Sequence, residues 1–143
     1  MAATSKATTV WQGDLGSGSG TTSPDSGAFG DVEVSWASRT KRAAGKTSPE
    51  ELLAAAHAAC FCMALSHELA EAGNASDRLE ATATVEFEPG EGVKSSHIEV
   101  SGRVEGLDAD GFDQAAQAAG QNCPISGALR GNVEITVEAT LST

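Results

Sequence analysis

Residues 47–66 read TSPEELLAAAHAACFCMALS, and this stretch decides the fold. It opens with the signals of a helix start. Ser48 suits the N-cap, Pro49 the first helical position and Glu51 the third position of a capping box. Further along the chain, Gly73 suits a left-handed C-terminal cap, so we predict one long helix that ends near this glycine.

The predicted helix is almost entirely apolar. His57 is the only polar side chain between Leu52 and Leu65, and such a helix is expected to be buried on nearly every side. Aromatic residues make up only 4% of the chain, so one chain has little side-chain bulk with which to cover it. A second copy of the chain would supply that cover. Two thiols, Cys60 and Cys62, therefore lie where the protein should be dry.

Short alternating segments precede the helix. Residues 7–15 (ATTVWQGDL) alternate as a strand does, and residues 28–36 predict a second strand that includes Phe29. Between them, the Gly- and Ser-rich residues 16–27 predict a flexible hairpin loop. Residues 38–46 (SRTKRAAGK) are a cluster of cations, which is typical of a solvated loop.

Three more alternating segments follow the helix, at residues 79–88, 97–106 and 132–141. Each predicts a half-exposed antiparallel strand. Residues 107–121 predict a second helix. The order is strands, helix, strands, helix, strand, so we predict a single α+β domain over residues 1–143.

Charge and composition limit the expected partners. The formal net charge is −11, so neither nucleic acid nor an anionic membrane is an expected partner. The apolar run of the long helix is broken by His57, and it is too short and too polar at its flanks to predict a membrane span. The N-terminal residues MAATSKATTVWQG lack the apolar segment of a secretory signal, which predicts a cytoplasmic protein. Three cysteines, an odd number in a reducing compartment, argue against a structural disulfide framework.

The cysteines differ in their expected surroundings. Pro124 suits the first position of a short helix, so Cys123 is predicted at or beside its N-cap, where peptide amides would stabilise a thiolate. On residue chemistry alone, Cys123 thus has the better claim to a low pKa, and Cys60 could be a small buried hydrophobe. Cys62 lies ~200° further round the helix than Cys60, so the two cannot face one site.

Two other uses of these residues stay open. A zinc site would combine His57, Cys60 and Cys123 with a fourth ligand, but the sequence lacks paired Cys-x-x-Cys spacing, so we expect no metal. A Cys/His hydrolase would use His57 as a base, although residues at i and i+3 need not align. His67 and His97 show no partner pattern and are predicted at the surface.

Two longer motifs carry a resemblance to a known family. The strings SPEELLAAAHAACFCMALS and NCPISGAL resemble the two signature regions of the OsmC family, within the OsmC/Ohr superfamily of peroxide-detoxifying proteins. The resemblance covers nearly the whole chain, and the Ala-His before Ala-Ala-Cys is similar to the OsmC branch. It implies an OsmC-like fold, with antiparallel sheets around a long central buried helix, in an intertwined homodimer.

The resemblance also implies an activity. A thiol-dependent peroxidase of this kind reduces organic hydroperoxides, and hydrogen peroxide less well, with Cys60 in the position of the peroxidatic cysteine and Cys123 in that of the resolving one. Arg39 and Glu50 match the remaining site residues, with Arg42 as a competitor for Arg39. The reductant implied is a small dithiol, for example of the lipoyl type. No haem, flavin or metal ligand set is visible, so no cofactor is expected.

The chemistry sets a further condition on this site. Burial raises the pKa of a thiol, so a thiolate at Cys60 needs a nearby cation, which Arg39 could supply. Glu50 precedes Cys60 by ~15 Å of helix, so either Arg39 bridges the gap or both groups come from a partner chain. A non-enzymatic redox sensor or a hydrophobic-ligand binding module with the same cysteine pair is the alternative function.

Overall fold

The computed structural model describes residues 2–42 and 45–142 and has an α+β fold, with two sheets and four helices in that part of the chain. The fold class predicted from the sequence is therefore confirmed. The chain forms two compact units, Met1–Leu52 and Leu53–Thr143. The single-domain organisation stays a prediction.

The first unit contains a four-stranded sheet. Its strands, in their order across the sheet, are β1 (Ala7–Gln12), β2 (Ser19–Pro24), β3 (Val32–Val34) and β4 (Lys46–Thr47). β1 and β3 both pair antiparallel to β2, whereas β4 pairs parallel to β3. The alternation seen in the sequence before the long helix thus does correspond to strands.

Two predictions about these strands are wrong. Residues 16–27 are not a flexible loop throughout, because β2 lies within them and pairs along its length with β1. Gly20 serves close packing there, since a Cβ at this position would lie 2.8 Å from the Trp11 ring. Phe29 does not belong to a strand; it precedes β3 and is 47% exposed.

Residues 38–46, predicted to be a loop, are helical in their first part. A short helix, α1 (Trp36–Thr40), occupies it. This helix begins at a capping box in which the hydroxyls of Ser35 and Ser38 each accept the backbone N–H of the other residue. Ala43 and Ala44 of the predicted loop lie outside the described residues.

The long helix, α2 (Pro49–Glu71), begins and ends as the sequence predicts. Ser48 Oγ accepts a backbone N–H of the first turn at 3.1 Å, which is the expected N-cap bond. At the other end, Gly73 has a φ of 87°, and the N–H of Asn74 donates to the carbonyl of Leu69 at 2.8 Å. This is the bond of a Schellman cap, so the glycine stop is confirmed.

The second unit contains a three-stranded sheet. Its strands, in their order across the sheet, are β5 (Ser76–Glu88), β6 (Gly92–Val104) and β7 (Glu134–Leu141). β5 and β6 pair antiparallel as predicted, but β7 runs parallel to β6, so the antiparallel prediction is wrong for this strand. Two helices, α3 (Ala109–Asn122) and α4 (Pro124–Leu129), form the crossover that a parallel pair requires.

One face of this sheet packs on α2 and α3. The core of fully or nearly fully buried side chains includes Phe61, Leu65 and Leu69 from α2, Ile98 and Val100 from β6, and Phe112 from α3. The approach is close: a Cβ on Gly102 of β6 would lie 2.5 Å from the Phe112 ring, so the glycine lets the ring rest directly against the strand.

α2 is less buried than the sequence predicts. Within a single chain, Ala55, Ala56 and Ala59 are exposed, and Met63 is 74% exposed. The expectation of burial on nearly every side is therefore wrong for one chain, because the sheet and α3 cover only part of the helix. α2 is also long and apolar enough to cross a membrane, so the length argument applied to the sequence is too strong. Core helices of soluble proteins share this property.

Candidate active site

The second unit brings two of the predicted site residues together. The thiol of Cys60, on α2, interacts with that of Cys123, which lies between α3 and α4. Both thiols are free. Cys60 is half-buried, whereas Cys123 is 0% exposed. Two thiols far apart in sequence thus meet, and of the two residues only Cys60 has exposed surface.

The surroundings of Cys60 act on its ionisation in opposite directions. Burial raises the pKa of the Cys60 thiol, and the hydrogen bond and charge interaction with Cys123 raise it further. The backbone N–H of Ile125 opposes them, because its interaction with the sulfur lowers the pKa. The net pKa of Cys60 is raised, so the amide of Ile125 alone does not offset the effect of burial on the thiolate.

The start of α4 refines the argument made from the sequence. α4 begins at Pro124 with Cys123 as its N-cap, as predicted, but the Cys123 side chain makes no capping hydrogen bond. The amide of Ile125 in the first turn reaches Cys60 instead. The helix amide for which the structure shows a thiol partner therefore serves Cys60, and stabilisation of a Cys123 thiolate stays a prediction.

Cys62 has separate surroundings. Its thiol interacts with the backbone of Ala81 on β5, and burial is the main cause that raises its pKa. The sequence argument that Cys60 and Cys62 cannot face one site agrees with these different neighbours.

His57 forms a buried polar link that the sequence did not reveal. Its ring is 0% exposed, with Nδ1 2.7 Å from Ser96 Oγ on β6 and Nε2 2.8 Å from Ser126 Oγ on α4. Burial lowers the pKa of His57, so the ring is neutral. A neutral imidazole donates from one nitrogen and accepts at the other, and each serine hydroxyl can take either role.

This link removes two uses of His57 left open by the sequence. Both ring nitrogens are engaged with serine hydroxyls, so neither the zinc site with Cys60 and Cys123 nor the role of base toward Cys60 fits. A signal for the link was present: Ser96 falls in register with Ile98 on the inward face of β6, and a buried hydroxyl needs a partner.

The first unit contains the other predicted pair. Arg39 Nε donates to Glu50 Oε1 at 3.0 Å, and its Nη2 donates to Oε2 at 2.9 Å. Glu50 is only 5% exposed, and the Arg39 guanidinium lies 5.9 Å from the Trp36 ring centroid. Two parallel charge-assisted bonds fix the guanidinium in one orientation.

Arg42 takes a different position from Arg39. Its Nη1 donates to Ser48 Oγ at 2.9 Å and its Nη2 donates to Glu51 Oε2 at 3.0 Å, both at the start of α2. Thr47 Oγ1 also donates to Glu51. The Glu51 carboxylate therefore accepts from Thr47 and Arg42, whereas the predicted capping box would have it accept from the backbone of Ser48. Of the two competing arginines, Arg39 is the one that contacts Glu50.

An apolar pocket lies in the first unit, with Arg39 in its wall. Its volume is about 330 Å³, and its apolar lining includes Trp11, Leu15, Trp36 and Leu52. An arrangement of this kind suits a ligand with an apolar body and a polar end.

Comparison with known proteins places the chain in a family. The family model described as OsmC-like protein matches residues 42–138. The chain is 38% identical over 134 residues to the peroxiredoxin OsmC of Escherichia coli (strain K12), with 92% of each covered. It is 33% identical over 110 residues to the organic hydroperoxide resistance protein OhrA of Bacillus subtilis (strain 168), with 76% of this chain and 77% of OhrA covered.

The fold agrees with solved structures. The crystal structure of an organic hydroperoxide resistance protein OsmC from Legionella pneumophila matches with a TM-score of 0.72 and 24% identity, over 96% of this chain and 97% of that one. The chain therefore belongs to the OsmC-like protein family, and the predicted OsmC-like fold is confirmed.

The buried neutral His57 predicts a loss of folding stability in mild acid. In the unfolded chain the ring takes up a proton near pH 6.5, whereas in the folded chain it does so only at lower pH. Acid therefore favours the unfolded state. The contribution of His57 to the free energy of unfolding is complete above about pH 6.5 and declines as the pH falls toward the lowered pKa of the folded chain. Urea unfolding midpoints, measured from about pH 8 down to pH 5.5, should fall accordingly.

The matched variants for this measurement are His57→Gln and His67→Gln. The first should be less stable at high pH yet show a flatter decline in acid, because the titrating ring is gone. The second removes an exposed histidine and should keep the wild-type decline. An unchanged pH slope in His57→Gln would show that the buried ring does not govern it.

Proposed function

We propose that this protein is a thiol-dependent peroxidase that reduces organic hydroperoxides, and hydrogen peroxide less well, to alcohols. Its class, a peroxiredoxin-like hydroperoxide reductase, follows from the relatives named peroxiredoxin OsmC and organic hydroperoxide resistance protein OhrA. The observation that carries the proposal is the contact between the half-buried Cys60 and the buried Cys123.

In the first step, the Cys60 thiolate attacks the distal oxygen of the hydroperoxide. The O–O bond breaks, the alkoxide leaves with a proton as the alcohol, and Cys60 becomes a sulfenic acid. Exposure supports this order of roles, because Cys60 is partly open to solvent and Cys123 is not. The sulfur that a hydroperoxide can reach is the one that should react first.

In the second step, the Cys123 sulfur attacks the sulfenic sulfur of Cys60. A disulfide forms and the hydroxyl leaves as water, which protects Cys60 from further oxidation. A dithiol outside the protein, for which we propose a small lipoyl-type compound, then reduces the disulfide by exchange. None of these steps requires a bound cofactor or metal.

Arg39 is the cation that we propose for the Cys60 thiolate. Burial raises the Cys60 pKa, so the reactive form needs positive charge. A guanidinium is a permanent cation, and the bidentate bond of Arg39 with Glu50 fixes its orientation. The cation-rich residues 38–46 would then supply a charge to the active site in addition to forming part of the surface.

The open side of α2 supports a homodimer. Ala55, Ala59 and Met63 expose apolar surface in a single chain, and a second copy of the chain would cover it. We propose that the chain acts as one domain of an intertwined dimer in the cytoplasm and that Arg39 and Glu50 of one chain serve Cys60 of the other.

A non-enzymatic redox sensor or a hydrophobic-ligand binding module is the second candidate. The apolar pocket in the first unit favours it, since this pocket could bind a ligand without any reaction. Both candidates allow a disulfide between Cys60 and Cys123, so bridge formation does not separate them. Repeated turnover in the presence of excess dithiol does.

Replacement of Cys60 should abolish turnover. We expect wild-type protein with dihydrolipoate to consume cumene hydroperoxide faster than hydrogen peroxide, and Cys60→Ser to consume neither above background, because the sulfenic acid cannot form. Cys62→Ser is the matched control and should stay within about twofold of wild type, since Cys62 has other neighbours. Turnover that survives in Cys60→Ser would sink the proposed mechanism.

Replacement of Arg39 should slow the reaction far more than replacement of Arg42. Arg39→Lys keeps the charge but loses the two parallel bonds to Glu50, and we expect kcat/KM for cumene hydroperoxide to fall on the order of 100-fold. Arg42→Lys should change it by about twofold or less. A larger effect at Arg42 would transfer the role to that residue.

A mixed dimer tests whether the site is shared between chains. Cys60→Ser and Glu50→Ala chains should each be inactive or severely impaired as homodimers. If Glu50 serves the partner's thiol, one of the two sites in the mixed dimer contains both native groups, and about half of the wild-type activity should return. No recovery in a dimer verified by mass would assign Glu50 and Cys60 to one chain.

A further inference from the structure

The buried link through His57 joins the two elements that carry the reactive sulfurs. His57 lies one turn before Cys60 on α2, and Ser126 lies one turn after Cys123 on α4. Their side chains meet at 2.8 Å, with no exposed surface on either residue. This hydrogen bond between His57 and Ser126 therefore connects α2 and α4 at positions one helical turn from each cysteine.

We propose that His57 is a positioning residue: through Ser126 it holds the start of α4 so that Cys123 and the Ile125 amide stay against the Cys60 sulfur. The inference rests on the proposed peroxidase function, in which this sulfur pair closes a disulfide. His57 itself touches neither sulfur in this role.

The packing of α4 explains why such an anchor is needed. Ser126 is the one α4 residue described as fully buried, so a hydroxyl and not an apolar side chain marks the point of deepest burial. Cys123 at the N-cap provides no side-chain cap that would fix the first turn. Ile125 and Leu129 are the half-buried side chains of this six-residue helix, so Ser126 is the α4 side chain that is most deeply buried.

The geometry of α2 explains why His57 can be this anchor. His57, Phe61, Leu65 and Leu69 recur every fourth residue and are all buried, so the imidazole continues the row that packs the core. Ser96 on β6 engages the other ring nitrogen, Nδ1, at 2.7 Å. The packing of this row places the ring, and its Nε2 lies 2.8 Å from Ser126 Oγ.

A thiol–disulfide equilibrium tests the proposal without any peroxide. Reduced and oxidised dithiothreitol are mixed with the protein, and the fraction of Cys60–Cys123 disulfide is measured by mass. Ser126→Ala should lower the equilibrium constant for disulfide formation about tenfold, because Cys123 is no longer held beside Cys60. Ser126→Thr restores a hydroxyl and should return most of that loss.

Ser96→Ala is the matched control. It removes a bond of the same kind from the same ring, so a merely structural role predicts equal effects on stability and on the disulfide for both serines. Positioning predicts that Ser96→Ala changes the disulfide constant by about twofold or less. His57→Gln gives a second variant in case Ser126→Ala does not fold, and it should also lower the constant.

A second readout concerns the Ile125 amide. In a Cys123→Ser background, the rate of Cys60 alkylation against pH should shift to higher pH when Ser126→Ala is added, because the amide that favours the thiolate moves away. A folded Ser126→Ala or His57→Gln protein with wild-type disulfide constant and alkylation profile would overturn the proposal. Absence of peroxide turnover in wild type, with these effects intact, would instead count against the proposed function alone.

Discussion

The second unit depends on the packing of one row of α2 against β6 and α3. Phe61, Leu65 and Leu69 are at most 1% exposed, and complete burial of such side chains stabilises a fold by ~1.5–3 kcal/mol each. His57 continues this row, and burial of its imidazole is tolerable because two hydroxyls satisfy both ring nitrogens. The apolar row and the polar link together decide how Cys60 is presented.

This packing conflicts with the chemistry proposed for the thiol. Removal from water favours the neutral form of Cys60, whereas attack on a peroxide requires the anion. A backbone amide offsets part of that cost without introducing a charge into the core. In the first unit a charged partner has the corresponding role. The Glu50 carboxylate is 5% exposed and therefore needs a fixed cation such as Arg39 beside it. Loss of either partner would leave the other as a buried or weakly held charge.

The sequence predicts the local part of this structure well. The caps of α2 were readable from Ser48 and Gly73, because capping depends on residue type at a fixed offset. The direction of β7 was not readable, since alternation is the same in parallel and antiparallel strands. β2 is hidden in the sequence because a Gly- and Ser-rich segment predicts flexibility, although the missing side chain of Gly20 makes room for Trp11.

The candidate site was less accessible to reasoning from pattern alone. Helix offsets separated Cys60 from Cys62, but the pairing of Cys60 with Cys123 came from the family resemblance, since no local rule joins residues so far apart. The link from His57 to Ser96 and Ser126 has the same long-range character. Only the inward register of Ser96 on β6 hinted at a buried partner, and the register could not say which one.

Contact between the two sulfurs before oxidation has a chemical consequence. Because the two thiols already interact, a disulfide between them would need only a local movement of the side chains. A sulfenic acid at Cys60 would then meet Cys123 before a second peroxide molecule, because the resolving sulfur is present at high local concentration. In the proposed mechanism, complete burial of Cys123 would keep peroxide away from that sulfur, and the contact that would let Cys123 resolve Cys60 is also one cause of the raised Cys60 pKa. The contact with Cys123 thus makes the Cys60 thiol less acidic, and the same contact would speed formation of the disulfide between them.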